Sequence, residues 1–432
     1  MPRSVFHARW VVPVTSAPVE SGRVVVEDGR ITAVERTRDR DPTAIDCGDA
    51  LILPGFVNAH THLELTVCRS RVPFDGSFVG WIERLTALYP GNDAGTRATL
   101  RESIRDGVQQ SLAAGVTTVA DVGCGERAVE EWYGAALSVV GFLEVLGMGA
   151  KCLTDHERSV ARAASLCERA DVLRRRAARA EARGSSCGSL CGPLRRDGIA
   201  PHAPYSTDPA VYRDAIDFAT RTHRPIGTHL AETRDELRFL SHATGPFREL
   251  LESRGLWDGS FSPPGCSPVR YAERIGLLAR NPLLVHVNYV TDDDLDVIAG
   301  SGSAVVCCPR SHRFFGHEPH RYRDMLDRGI NVCVGTDSLA SNESLSVLDE
   351  LRFLRRQDER ISGEMLLAMG TIAAARALGL EAEVGSLEIG KRADLVVVPL
   401  ADPGAGEPVV DLLSGGAEPS AVYLAGQRLF PT

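Results

Sequence analysis

Between residues 51 and 380, short apolar runs rich in β-branched residues alternate with longer stretches of helical periodicity. This alternation constrains the fold most, because strands connected through helices run parallel and share one sheet. Eight strands are predicted, at 51–59, 116–122, 139–146, 198–202, 225–230, 283–287, 304–308 and 331–336. Helices are predicted at 97–114, 154–183, 208–222, 235–242 and 346–356. Eight such repeats predict an α/β fold in which residues 51–383 form a (β/α)8 TIM-like barrel.

The two ends of the chain follow a different pattern. Residues 1–50 and 384–432 alternate hydrophobic and polar residues around turn signals such as Asp28-Gly29 and Ala425-Gly426. This alternation is typical of antiparallel strands and hairpins. Both ends are therefore predicted to form one small β-sandwich domain.

Charge and hydrophobicity argue against two classes of partner. The net charge is -9, and no basic stretch carries interleaved aromatic residues, which argues against a nucleic acid as partner. The longest apolar runs, at 137–143 and 395–400, are too short to span a bilayer, so no membrane partner is expected.

The first residues do not combine a charged segment with a sustained apolar run, so no export signal is predicted. The expected location is the cytoplasm.

Cysteine usage fits a reducing compartment. The 11 cysteines are scattered at no repeating interval, which is typical of buried thiols rather than of a disulfide framework. Cys187 and Cys191 lie in a loop rich in serine and glycine, without a second cysteine pair nearby. A structural zinc site in that loop is a disfavoured alternative.

Titratable side chains follow five of the eight predicted strands. In order along the chain they are His60 and His62, His202, His229 and Glu232, His286, and Asp337. Each alone would more often be an ordinary polar residue, but active sites of such barrels are built at these strand ends. Three imidazoles and a carboxylate suit a zinc-like ion that keeps one position for water. We therefore expect a catalytic metal site and metal-assisted hydrolysis.

Six stretches of the chain resemble the amidohydrolase superfamily. They are PGFVNAHTHL at 54–63, APHAPYSTD at 200–208, THLAET at 228–233, LVHVN at 284–288, VGTDSLASN at 334–342 and GSLEIGKRADLV at 385–396. The resemblance implies that the metal ligands are His60, His62, His229 and Asp337. It also implies that His286 hydrogen-bonds the water held by the metal, or the developing oxyanion.

The resemblance further bears on the number of metal ions. Many relatives hold two metals bridged by a carboxylated lysine at the end of strand four, where this chain has His202. Its lysines are Lys151 and Lys391, and neither is well placed to bridge. We therefore expect one divalent ion, zinc in the first place and iron as an alternative.

The HLAET stretch resembles the branch that deaminates nucleobases and nucleosides or dechlorinates triazines. In that branch the equivalent of Glu232 carries a proton from the water to a ring nitrogen, and the equivalent of Asp337 takes the other proton. Glu232, His286 and Asp337 are thus the expected catalytic residues. A first-turn acid that stabilises the following helix is the alternative role of Glu232.

Five residues are expected to contact the substrate. His202 resembles a substrate-binding histidine of adenosine-type deaminases, although a structural role in a tight turn is an alternative. The glutamate that grips a ribose hydroxyl is not clearly matched, which leaves Glu64, Glu83 and Glu144 open. The remaining contacts, Trp81 and Arg310, lie in stretches similar to aminodeoxyfutalosine deaminases. Arg310 is expected to bind a substrate carboxylate, or else to hold its own loop.

The function implied by the resemblance is hydrolytic deamination of an aminated purine nucleoside with release of ammonia. The specific expectation is 6-amino-6-deoxyfutalosine, on a menaquinone route. Alternatives are a deaminase of S-adenosylhomocysteine or methylthioadenosine, a guanine-type deaminase and a triazine chlorohydrolase. A non-catalytic scaffold barrel is disfavoured, because it would not keep polar groups converging in a cavity. The expected partner is a small molecule, and the resemblance is compatible with a homodimer.

Overall fold

The strands of this protein fall into an antiparallel group and a parallel group. The computed structural model describes residues 3–37, 41–88, 93–148, 160–173, 175, 192–402, 404 and 406–431. The first six strands are β1 Ser4–Val11, β2 Val19–Glu27, β3 Arg30–Arg36, β4 Ile45–Asp46, β5 Ala50–Pro54 and β6 Phe56–Thr61. Next come β7 Val116–Gly123, β8 Ser138–Val145, β9 Arg195–Pro201, β10 Gly227–Leu230, β11 Leu283–His286, β12 Ala304–Cys307 and β13 Asn331–Val334. The last three are β14 Leu395–Pro399, β15 Ala421–Leu424 and β16 Gln427–Phe430.

Fifteen α-helices accompany the strands in the described residues. The first five are α1 Phe78–Ala87, α2 Ala94–Ala113, α3 Gly125–Gly134, α4 160–173 and α5 Pro209–Thr222. They are followed by α6 Arg234–His242, α7 Pro246–Ser253, α8 Pro268–Arg274, α9 Asp292–Ser301 and α10 Pro309–Phe314. The last are α11 Tyr322–Asp327, α12 Val347–Gln357, α13 Gly363–Met369, α14 Ile372–Ala377 and α15 Pro408–Ser414. Among these helices, none combines the length and apolarity needed to cross a bilayer.

Eight strands form two parallel sheets of four, β6 to β9 and β10 to β13. Their strands are almost entirely buried, as expected for parallel sheets covered on both faces. Parallel bridges connect the sheets at both edges, Ile199 with Ile226 and Thr61 with Asp337. The eight strands are thus linked edge to edge in one cycle, and their carboxyl ends lie on the same side.

The predicted first strand is wrong in one respect, because residues 51–59 divide at Gly55. The segment before it, β5, pairs with β1 and β14, whereas β6 pairs with β7. A Cβ atom at Gly55 would lie 2.1 Å from Oγ1 of Thr117, so only glycine fits where the chain leaves one sheet for the other. The hydrophobic run 51–57 therefore serves two different sheets.

Both chain ends contribute to one eight-stranded sheet. Its order is β16-β15-β14-β5-β1-β2-β3, with β4 added beside β1. One of its faces buries a cluster that includes Phe6, Val24, Ile52 and Leu395. β14, from the carboxyl-terminal end of the chain, pairs with β5, and β5 pairs in turn with β1 from the amino-terminal end. The described part of the predicted helix 154–183 is α4, and Lys151, Cys187 and Cys191 lie outside the described residues.

Candidate metal centre and active site

Three histidines from two strands meet at the carboxyl ends of the parallel sheets. His60 and His62 come from the end of β6, and His229 lies in β10. One ring nitrogen from each can be chosen so that all three lie within 4.8 Å of one another. Because side chains alternate along a strand, His60 and His62 can project to the same side. The arrangement offers three of the four ligands of a tetrahedral metal site.

Asp337, which follows β13, completes this cluster. Its Oδ1 lies 3.7 Å from Nε2 of His60 and 3.8 Å from Nε2 of His62. The hydroxyls of Ser311 and Ser341 donate hydrogen bonds to Oδ2 at 2.7 and 3.1 Å. The backbone of Asp337 is left-handed, with φ of +57°, a conformation that is uncommon for residues other than glycine. The serines thus orient the carboxylate toward the histidines.

His229 and His60 each have a ring nitrogen that is free to bind a metal. Nδ1 of His229 bonds the carbonyl oxygen of His202 at 2.9 Å, which makes Nδ1 the donor and leaves a lone pair on Nε2. Nε2 of His60 is fully buried and makes no hydrogen bond within the described protein. An orphaned buried nitrogen is costly unless a ligand satisfies it. The residues therefore fit a divalent cation.

Electrostatics also favour neutral rings at His62 and His229. Burial, reinforced by the charge of His60, lowers the pKa of His62 to about 4. Burial and the neighbouring histidines hold the pKa of His229 well below its usual range. For Asp337 burial opposes ionisation, but the imidazoles of His60, His286 and His62 outweigh it and keep the pKa well below the usual range. Neutral histidines beside an ionised aspartate are the protonation states that metal binding requires.

A second buried pair, Glu232 and His286, borders the metal cluster. Oε1 of Glu232 lies 3.4 Å from Nε2 of His286. Burial raises the pKa of Glu232 well above its usual range, and the charges of Asp337 and Glu236 add to this effect. A carboxyl group in this state can hold a proton at neutral pH and transfer it.

The loop that carries Glu232 is fixed by a buried carboxylate. The two oxygens of Glu236 accept hydrogen bonds from the backbone N–H groups of Ala231 and Glu232, at 3.0 and 2.8 Å. The side-chain amide of Asn288 donates to the carbonyl of Glu232 at 3.0 Å. Ala231 is left-handed, with φ of +52°. Three separate contacts thus hold the proton-carrying residue in place.

These groups form the floor of a cavity of about 470 Å³. His62, His229, Glu232, His286 and Asp337 all line it. Its walls are mainly apolar, and the lining includes Phe78, Trp81, Ile82, Leu85, Tyr205, Phe247, Leu250, Leu251 and Phe315. An apolar cavity with a few convergent polar groups is the usual form of a small-molecule site.

Comparison with known proteins decides the family. Residues 51–429 match the model of the amidohydrolase family. This chain belongs to the amidohydrolase family. The 5-methylthioadenosine/S-adenosylhomocysteine deaminase of Symbiobacterium thermophilum is 28% identical over 414 residues, covering 92% of this chain and 85% of the relative.

Solved structures agree on the amidohydrolase fold. Aminofutalosine deaminase of Helicobacter pylori matches with a TM-score of 0.80 at 23% identity, covering 99% of this chain and 100% of that one. A zinc-bound adenosine deaminase from Xanthomonas campestris matches with a TM-score of 0.79 at 22% identity, covering 98% of this chain and 92% of that one. The cluster of His60, His62 and His229 in this amidohydrolase fits a divalent metal ion.

Four of the five predicted substrate contacts line the cavity of this amidohydrolase: His202, Glu64, Trp81 and Glu144. Nδ1 of His202 bonds Oγ of Ser206 at 2.6 Å, and its Nε2 lies 3.9 Å from Oε1 of Glu144. Glu64 pairs with Arg127 at 3.0 Å. Nε1 of Trp81 donates to the carbonyl of Val72 at 3.2 Å, so its indole presents an apolar face. Glu83, the third open candidate for the ribose contact, is not among the lining residues.

The fifth predicted contact, Arg310, lies away from the cavity and matches the alternative role of holding its own loop. It is not among the residues that line the cavity. Its guanidinium donates to Ser344 at 2.8 Å and pairs with Glu343 and Asp349 at 3.1 and 3.6 Å. These groups neutralise its charge and hold it against its own loop, so it does not face a ligand in this cavity.

Several residues of the site escaped the sequence analysis. Ser341 binds Asp337 from the loop after β13, and Tyr205 lines the cavity from the segment after β9. Nε2 of His320 bonds the carbonyl oxygen of His286 at 2.7 Å. Position after a strand could have indicated Ser341 and Tyr205. His320 carries no such signal, because it follows a helix and reaches the site through folding alone.

Proposed function

We propose that this amidohydrolase is a hydrolytic deaminase of adenosine-type nucleosides. The observation that carries the proposal is the convergence of His60, His62, His229 and Asp337 with the Glu232–His286 pair on one apolar cavity. This set combines a metal site with a buried proton carrier, which hydrolysis of a C–N bond on an aromatic ring needs.

The framework of the proposal is a closed (β/α)8 barrel over residues 51–383 with a β-sandwich domain formed by 1–50 and 384–432. The cycle of eight parallel strands and its two bridges support the barrel. The division into these two domains is likewise part of the proposal, and β5 would belong to the smaller one. In such a barrel the active site lies at the carboxyl ends of the strands, where the cluster is found.

The chemistry follows from the residues on the cavity floor. His60, His62, His229 and Asp337 would hold one divalent ion, which supplies a nucleophilic water at neutral pH. Glu232 is placed to transfer a proton to a ring nitrogen, because its carboxyl group is buried and inclined to stay protonated. His286 lies beside it with a neutral ring and can hydrogen-bond the reacting oxygen. Asp337 can accept the second proton, and ammonia is the leaving group.

The specific substrate we propose is 6-amino-6-deoxyfutalosine. Support comes from the sequence motifs around Glu64, Trp81 and Glu144 and from the neighbour that deaminates aminofutalosine. That neighbour has also been crystallised with methylthio-coformycin, which supports a nucleoside-like small molecule. The second candidate is 5-methylthioadenosine or S-adenosylhomocysteine, favoured by the name of the Symbiobacterium thermophilum relative.

A substrate panel tests the proposal. The zinc-loaded protein is incubated with aminodeoxyfutalosine, methylthioadenosine, S-adenosylhomocysteine, adenosine, guanine and a chlorotriazine. Ultraviolet absorbance and ammonia report deamination, and chloride reports the triazine reaction. We expect ammonia from at least one adenosine-type nucleoside and a preference for aminodeoxyfutalosine. Release of chloride alone would indicate a triazine hydrolase, and ammonia from guanine alone would indicate a guanine-type deaminase. No turnover of any substrate by metal-replete protein would refute the proposed function.

A further inference from the structure

Two helices present matching faces to the cavity. Side chains of α1 and α7 that are spaced three and four residues apart line it, and this spacing places them on one face of each helix. They are Phe78, Trp81, Ile82 and Leu85 on α1, and Phe247, Leu250 and Leu251 on α7. Phe78, Trp81 and Phe247 are buried, whereas Leu85 and Leu250 are partly exposed. We call the space between these faces the apolar groove, and it runs from the interior toward solvent.

Arg254 lies at the exposed end of the apolar groove. It extends the α7 face by one turn beyond Phe247 and Leu250. Among the described residues that line the cavity, it is the one that carries a permanent positive charge. Its Nη2 donates a hydrogen bond of 2.9 Å to Oγ1 of Thr86, which follows Leu85 on α1. This bond links the two helices and holds the guanidinium at the rim.

The charge of Arg254 has no acidic partner among the described residues. In the described part of the chain, no carboxylate forms an ion pair with its guanidinium within 4.0 Å. Arg310, by contrast, pairs with Glu343 and Asp349. A guanidinium recognises a carboxylate through two parallel hydrogen bonds. A ligand that fills the apolar groove and ends in a carboxylate would provide the missing partner.

We propose that Arg254 determines specificity by binding a carboxylate at the distal end of the 5′ substituent of the nucleoside. This inference rests on the proposed function. The reacting ring lies over Glu232 and Asp337, the apolar part of the substituent packs in the apolar groove, and its carboxylate reaches Arg254. The substrate class is therefore an adenosine-type nucleoside whose 5′ substituent is apolar along its length and carries a carboxylate at its end.

The test compares two nucleosides on the full-length, metal-loaded protein. S-adenosylhomocysteine carries a carboxylate at the end of its 5′ substituent, and methylthioadenosine carries none. In Arg254→Gln we expect KM for S-adenosylhomocysteine to rise about fivefold, since the contact is at an exposed rim, with kcat within about twofold. Both constants for methylthioadenosine should stay within about twofold.

Two further variants sharpen the comparison. Arg248→Gln removes the same charge from α7, at a position that pairs with Glu252 and does not line the cavity, so neither substrate should respond. Thr86→Val keeps the charge of Arg254 but removes its anchor. It should raise KM for S-adenosylhomocysteine alone, by less than Arg254→Gln does.

The outcomes separate this inference from the proposed function. Three results would overturn the inference and leave the proposed deaminase activity standing. They are equal effects of Arg254→Gln on both substrates, no effect on S-adenosylhomocysteine, and a wild-type protein that accepts only methylthioadenosine. Absence of ammonia from every nucleoside would overturn the proposed function. In that case thermal shifts test the role of Arg254. If S-adenosylhomocysteine stabilises the wild type and Arg254→Gln abolishes this stabilisation, the role is supported. If the variant is stabilised equally, or the wild type is not stabilised, the role is contradicted.

Discussion

Nε2 of His286 lies 3.4 Å from Oε1 of Glu232, and both side chains are buried. The two residues end or follow adjacent parallel strands, β11 and β10. The backbone at both ends is strained, with φ of +73° at His286 and +52° at Ala231. A fold that maintains two such conformations side by side keeps a proton carrier next to a neutral imidazole.

Replacing Glu232 by glutamine should leave metal binding intact and remove most of the turnover. The amide keeps the shape of the side chain but cannot carry a proton, so kcat should fall by roughly 10²–10⁴-fold. Metal analysis and deaminase assays on the same preparation provide the measurement. Glu249→Gln, on the exposed side of α7, is the control and should behave like the wild type. Full activity of Glu232→Gln would rule out the proton-transfer role.

Removing a proposed ligand should abolish both metal and activity. In His229→Ala or Asp337→Ala the site loses one of four donors, and the remaining groups no longer enclose the ion. Metal content after purification without chelator should fall to near zero, and turnover with it. His242→Ala, an exposed histidine on α6, should retain both. Retention of a full equivalent of metal in Asp337→Ala would remove the aspartate from the ligand set.

His320 should act as a positioning residue for His286. Its ring donates to the His286 carbonyl at 2.7 Å, and that carbonyl belongs to a residue with left-handed backbone. Loss of an outer partner of this kind typically costs 10- to 100-fold in activity, so kcat of His320→Ala should fall by about that factor while KM and metal content hold.

Two variants control for a general loss of packing around His320. His317→Ala changes a histidine of the same loop that bonds Tyr289 rather than the site, and it should retain kcat. His320→Gln can still donate a hydrogen bond and should recover part of the activity. If His317→Ala and His320→Ala lower kcat equally, the effect is structural and the positioning role fails.

Glu350 should make the stability of the protein depend on pH. Burial raises its pKa to about 8, although it accepts hydrogen bonds from Asn342 and from the backbone of Arg310. The ordinary value is 4.5, so between these two pH values the folded state binds more protons than the unfolded state. Stability contributed by this group is therefore highest below pH 4.5 and falls as the pH rises to about 8.

Thermal unfolding at pH 5 and pH 8 measures this effect. Glu350→Gln cannot ionise, so its melting temperature should fall less between pH 5 and pH 8 than that of the wild type. The corresponding difference in the free energy of unfolding is on the order of a few kcal/mol. At pH 5 the variant should be less stable by about 1–3 kcal/mol, because one donor loses its acceptor. Glu359→Gln, at an exposed position, should follow the wild-type curve. Parallel curves for Glu350→Gln and wild type would contradict the assignment.

The polar strand ends illustrate how far the sequence could predict the site. Alternation of side chains placed His60 and His62 together, and the shared carboxyl edge of parallel strands brought His229 and Asp337 to them. Both inferences depend on local periodicity, which can be read without the fold. The division of residues 51–59 at Gly55 could not be read this way, because an uninterrupted apolar run looks the same whether it serves one sheet or two.

Spacing along the chain was enough to predict the parallel strands, the family resemblance and the residue types of the metal cluster, because each of these depends on local pattern. Tertiary structure alone decided which long side chains face the cavity. Arg310 follows a strand as the prediction required, yet Glu343 and Asp349 draw it away, whereas Arg254 reaches the rim because α7 packs beside α1. The direction of a flexible, charged side chain is set by the partners that distant segments bring within a few ångströms, and no local pattern encodes them.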